Sequence, residues 1–207
     1  DLSKWDVSKV TSFAAMFQGA ASNAMDMKIK YLDLTNWNPA SAVAMNHMFY
    51  GCAKLTELDI SGWNMPNLST TSHMFADCIN LNTIDLTGWQ TPSLTSMDGM
   101  FNDCRSLKKV DMSSFDTSKV QEFSQVFESC WSLTEIVGME NWDTSSGLTF
   151  EQMFMGAGAL NKLDLSGFNT SAAYDGYVAQ NGSGCVAFGN MFNGVNNLTT
   201  LIVSDEI

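Results

Sequence analysis

The dipeptide Met-Phe returns along this chain at a fixed interval, and that recurrence constrains the fold more than any other feature. It stands at Met16-Phe17, Met48-Phe49, Met74-Phe75, Met100-Phe101, Val126-Phe127 (the variant copy), Met153-Phe154 and Met191-Phe192. From Phe49 to Phe127 the step is 26 residues each time. Other positions keep the same register. An aromatic lies eleven residues before the Met at Trp5, Trp37, Trp63, Trp89, Phe115 and Trp142. A small residue follows each Phe by three at Ala20, Cys52, Cys78, Cys104, Cys130, Ala157 and Val195, and a Leu follows after three more, from Leu55 to Leu198. One such unit cannot bury its own apolar residues, but units stacked in register share a continuous core.

Each unit reads in two halves. Segments such as Leu58-Asp59-Ile60 alternate apolar and polar with period two, the signature of a short strand with Leu58 and Ile60 inward. Met74, Phe75, Cys78 and Leu81 fall on one helical stripe. Gly62, Gly88 and Gly167, with Ser113-Ser114 in one unit, mark a bend after the strand. The expected architecture is a repeat solenoid, a leucine-rich-repeat-like right-handed coil. Its short strands form one parallel β-sheet, and short helical or irregular segments line the opposite side. Residues 1–207 form a single array of about seven 26-residue repeats, read as a fragment of a larger protein, with insertions near 19–28 and 172–184.

The pattern Leu-x-x-Leu-Asp-Leu-Ser-Gly-Trp followed by Met-Phe-x-x-Cys-x-x-Leu, clearest over 55–78 and 81–104, resembles the 26-residue repeat of the BspA-like leucine-rich repeats of bacterial surface proteins. That resemblance implies a secreted or surface-anchored protein engaged in adhesion. It implies little about the ligand, because the repeated residues are scaffold. The unit at 133–142 departs from the pattern, with Val137-Gly138-Met139 in place of the Asp-containing strand, and so does the insertion before Cys185.

Net charge narrows the partners. At −12 the chain repels phosphate backbones and anionic membranes, and no apolar run approaches the ~18 residues of a membrane span. Neither a nucleic-acid partner nor membrane insertion by this segment is expected.

Repetition also explains most residues that could carry chemistry. Cys52, Cys78, Cys104 and Cys130 stand one repeat apart, a column of buried free thiols rather than the convergent cluster that zinc requires. Cys185 is read as core. His47 and His73 share a column with Ala15, Gly99, Gln125, Gln152 and Asn190, which reads as an ordinary surface position. No catalytic residue, metal site or cofactor is expected, and the chain is read as not an enzyme. Asp33, Asp59, Asp85, Asp111 and Asp164 face outward from the strands beside Thr or Ser. They form either a structural ladder, each carboxylate taking bonds from neighbouring hydroxyls and N–H groups, or an acidic strip for cations or a basic partner. The insertion contributes Tyr174, Asp175, Tyr177 and Asn181, a composition suited to adaptable recognition. Together these residues make the candidate interaction surface. Sequons at Asn67, Asn169, Asn181 and Asn197 leave glycosylation open.

The expected function is a non-enzymatic, adhesin-like module at the cell surface or secreted, presenting a repeat surface to an extracellular protein or glycan. The alternative is an architectural spacer or a self-assembling surface-layer or filament block, associating through open solenoid ends.

Overall fold

In a computed structural model of the chain, residues 2, 4–19, 29–173 and 187–203 are described. Short strands form at β1 (Glu57–Asp59), β2 (Thr83–Asp85), β3 (Lys109–Asp111), β4 (Glu135–Val137), β5 (Lys162–Leu165) and β6 (Thr200–Val203). They recur at the strand position of successive repeats and pair parallel in register: Leu58 lies against Ile84, Val110 against Ile136 and Leu163 against Leu201. The expectation of one continuous sheet is corrected here. The pairs β1–β2, β3–β4 and β5–β6 are separate two-stranded sheets. Strands of three or four residues leave few ladder bonds per junction, so a small change of twist or chain length opens every second one.

Continuity lies on another line of the repeat. Isolated parallel bridges join Ser12 to Ala44, Ala44 to Thr70, Thr70 to Ser96, Ser96 to Glu122 and Glu122 to Thr149 without a break. These residues lead into the Met-Phe segment, where the second correction falls. The apolar stripe of Met74, Phe75, Cys78 and Leu81 is buried as expected, but its backbone is not helical. His73 and Asp77 have φ of 52° and 59°, a left-handed conformation that a right-handed helix excludes.

Hydrogen bonding explains why the chain accepts it. His73, Phe75 and Asp77 donate their N–H groups to Asp98, Met100 and Asn102 of the next repeat, at 2.8, 2.9 and 2.9 Å. The intervening Met74, Ala76 and Cys78 donate within the repeat, to Thr71, His73 and Phe75. Alternate residues therefore face alternate partners, and every N–H of the segment is satisfied. The pattern repeats: Ala15, His47, His73, Gln125, Gln152 and Asn190 share one positive-φ position with Gly99, and Asp77, Asp103 and Ser129 share the other with Gly51, Gly156 and Gly194. Left-handed non-glycine residues cost about 1 kcal/mol each, offset by one inter-repeat hydrogen bond at every such site except Asn190.

Within this frame the columns stack face to face. Phe17, Phe49, Phe75, Phe101, Phe127, Phe154 and Phe192 form one file with ring centroids 5.3–5.9 Å apart. Trp5, Trp37, Trp63, Trp89 and Phe115 form a second, spaced 5.5–6.5 Å. Nearly all these rings are buried in a single core, so the aromatic columns act as packing, each ring covered by the equivalent ring of its neighbours. Among the described residues no helix is long and apolar enough to cross a membrane.

Candidate interaction surface

The cysteine column is part of the core. Each Sγ donates to a carbonyl of the preceding repeat: Cys52 to Phe17, Cys78 to Phe49, Cys104 to Phe75 and Cys130 to Phe101, at 3.0–3.2 Å. The four described cysteines are free. Burial pushes the Cys52 thiol up to about 11 and raises those of Cys78, Cys104 and Cys130. A protonated, inaccessible sulfur is a poor nucleophile. A thiol reagent at neutral pH is therefore expected to leave all four unlabelled in the native protein and to label them once the chain unfolds. Rapid native labelling, read by mass spectrometry, would contradict this placement. Cys185 lies outside the described residues.

The histidine column is half-buried at His47 and His73, and it is one of the two positive-φ positions. The imidazoles of His47 and His73 stack with centroids 5.3 Å apart and planes 5° from parallel. Coordinating lone pairs lie in the ring planes, so parallel rings do not converge on one ion. Among the described residues, no group of three or more His, Cys, Asp or Glu could hold a metal ion. His73 Nδ1 lies 3.1 Å from Ser72 Oγ and 3.6 Å from Asp98.

Desolvation, and then the neighbouring His73, lower the His47 pKa from 6.5. The folded state thus binds that proton less readily than the unfolded chain. The His47 contribution to stability is complete above pH 6.5 and declines as the pH falls below it. Asp98 acts in the opposite sense at lower pH, because burial raises its pKa from 3.8 even though His73 opposes the shift. In an NMR titration the His47 ring is expected to show a midpoint below 6.5; a midpoint at or above that value would contradict the stacked geometry.

The outward strand position carries the predicted aspartates. Asp59, Asp85 and Asp111 close β1, β2 and β3, Asp164 lies within β5, and Asp33 occupies the equivalent place in a segment without strand geometry. Each uses Oδ1 to accept the backbone N–H of the residue two positions on: Thr35, Ser61, Thr87, Ser113 and Ser166, at 2.9–3.2 Å. In Asp33, Asp111 and Asp164 the same oxygen also accepts the Thr35, Ser113 or Ser166 hydroxyl. These bonds close the turn that follows the strand. They favour the ionised form, and the serine hydroxyls foremost hold Asp111 and Asp164 below the usual carboxylate range. Each aspartate therefore has a structural use for one oxygen, and Asp33, Asp59, Asp85 and Asp111 stay exposed while Asp164 is half-buried.

Sequence reasoning missed a second set of such turns. Asp6, Asp116, Asp143 and Asn169 each accept from the serine two residues later. The signal was present: in each case the residue directly follows the repeated Trp or Phe. It also missed Tyr31, which is exposed and borders a shallow groove of about 370 Å³ with Glu57, Asp59, Ile84 and Asp85. This groove places an aromatic, an apolar floor and three carboxylates on the face of β1 and β2. Tyr174, Asp175, Tyr177 and Asn181 lie outside the described residues, as does most of each insertion.

Three overlapping stretches, 1–87, 24–138 and 95–199, match the model of a single family, described as Mycoplasma protein of unknown function, DUF285. The chain belongs to the DUF285 family. The overlapping matches mean that the DUF285 unit recurs along the chain, in keeping with the stacked repeats. No curated protein matches this DUF285 chain. Among solved structures it is similar to the leucine-rich repeat domain of the type III effector XopL, at 15% identity and a TM-score of 0.25. That match covers 81% of this chain and 60% of the XopL domain chain.

Proposed function

We propose that this chain is a non-enzymatic protein-interaction module of the cell surface or secreted space. In this reading its repeats wind as a leucine-rich-repeat solenoid of the BspA-like kind. The observation that carries the proposal is the division of labour within each repeat. Away from the ends of the array, the Met, Phe, Trp and Cys positions are buried columns, while the charged strand positions are exposed, apart from the half-buried Asp164. A surface of that kind suits recognition of another macromolecule, with exposed aromatic and charged groups supplying contacts. The groove beside Tyr31 is one patch on that strand face. Its three carboxylates favour a protein partner with a basic surface.

Binding of the purified chain across an array of extracellular matrix proteins and glycans tests the proposal. Saturable binding to one or a few components is the expected result, weakening as salt is raised. Uniformly absent binding would overturn the module reading, and turnover of any arrayed substrate would overturn its non-enzymatic part.

A further inference from the structure

The repeat breaks in sequence and in structure at the same place. One residue is added at Gly138, and the step from Phe127 to Phe154 becomes 27. Gly138 takes φ 87° and packs its backbone directly against Ser113 of the preceding repeat. The chain then turns through a short 3-10 segment, Met139–Asn141. Here the strand ladder opens. β4 pairs with β3, β5 pairs with β6, and β4 does not pair with β5. β2 and β3 also belong to different pairs, yet they remain packed side by side, whereas β5 packs against the short 3-10 segment more than against β4. Between β4 and β5 lies a groove of about 600 Å³ lined by Glu135, Ile136, Val137, Glu140, Lys162 and Asp164, among others.

Two properties of this groove specify an occupant. The first is backbone chemistry: strands with unpaired edges are templates for an added strand, whose main-chain groups supply affinity. The second is charge. Glu135 is neutralised by Lys109 at 2.9 Å, which leaves Glu140 and Asp164 facing the single cation Lys162. Glu140 Oε1 accepts only a long 3.3 Å bond, from Asn141, and Asp164 turns Oδ1 to Ser166. The groove therefore carries an excess of one negative charge on a chain of net charge −12. We propose that the groove between β4 and β5 receives an extended peptide segment of a partner protein. The segment runs along the open strand edges and directs a basic side chain toward Glu140 and Asp164.

The proposal rests on the interaction-module reading and locates one of its contacts. The probe is a capped hexapeptide of alternating valine and lysine, titrated into the 207-residue chain and followed by amide NMR. Saturable binding is expected, with slowed exchange confined to 134–138 and 161–165. Methylating the peptide's alternate backbone nitrogens along one edge should weaken it by about tenfold or more, the equivalent of one lost charge-free hydrogen bond or better. Glu140→Gln, an exposed change, should weaken the lysine peptide but not a valine–serine version. Deleting Gly138 should close the groove and abolish binding; because that variant could fail to fold, Glu140→Gln and the methylated peptide stand as independent readouts. Equal affinity of the methylated peptide, or protection centred on β1 and β2, would overturn the groove. No peptide binding, alongside retained capture of an array component, would overturn the groove and leave the module reading intact.

Discussion

Replacing Phe101 with alanine is expected to destabilise the fold by about 3–5 kcal/mol, among the larger costs of any single substitution here. The ring is fully buried. Its two faces are covered by Phe75 at 5.3 Å and Phe127 at 5.9 Å, so truncation leaves a void that neither neighbour can fill without leaving its own stack. For a chain of this length the melting temperature should fall on the order of 10 °C. Because each repeat contacts chiefly its neighbours, the damage should also be local in origin. Hydrogen exchange is expected to rise first in the repeats containing Phe75 and Phe127. A melting temperature within a degree or two of the parent would show that the phenylalanine file is not the structural spine described here.

Gly138→Ala should be the most damaging of the glycine substitutions, at about 2–4 kcal/mol. Two costs combine: the left-handed backbone, φ 87°, and the collision of a new Cβ with the Ser113 backbone, which has no flexible end to move aside. Gly62→Ala isolates the first cost. Its φ is 69°, but a Cβ there meets nothing within 4 Å, so only about 1 kcal/mol is expected. Denaturant unfolding of the two variants side by side gives the comparison. Equal losses would mean that the close approach of Gly138 to Ser113 contributes nothing, and with it the physical reason for the break in the strand ladder.

How much of this was legible in the sequence depends on whether a feature repeats. The columns of Phe, Trp, Cys and Leu were legible because seven copies superpose the same burial requirement, and Leu58, Ile60, Met74 and Cys78 are buried where the pattern put them. The conformation of the Met-Phe segment was misread as helical because apolar spacing at offsets 0, 1, 4 and 7 also suits a chain of turns whose alternate N–H groups leave for the next repeat. The contrary signal lay in residue type rather than hydropathy. Gly51, Gly156 and Gly194 share a column with Asp77 and Asp103, and Gly99 shares one with Asn190, the residues that tolerate a left-handed backbone. The splitting of the sheet into pairs was not legible, because it depends on twist and on how Gly138 seats against Ser113. Of the candidate surface, Asp33, Asp59, Asp85 and Asp111 are exposed and Asp164 is half-buried. The dual use of each, one oxygen closing a turn and the charge left exposed in all but Asp164, emerged only from the hydrogen bonds.

That dual use permits a direct test of the central claim, that the strand-face charges serve binding while the columns serve the fold. Asn169 already closes its turn with a side-chain amide oxygen, accepting from the Ser171 N–H at 3.0 Å and hydroxyl at 2.7 Å. Asparagine can therefore replace Asp33, Asp59, Asp85, Asp111 and Asp164 without losing the turn. The decisive measurement is the affinity of this five-fold Asp→Asn variant for the array component that the parent chain captures, alongside its melting temperature. The account predicts a fold close to the parent's and binding weakened by at least about tenfold, the loss of one or two charge-assisted contacts. Unchanged affinity in a normally folded variant would contradict it.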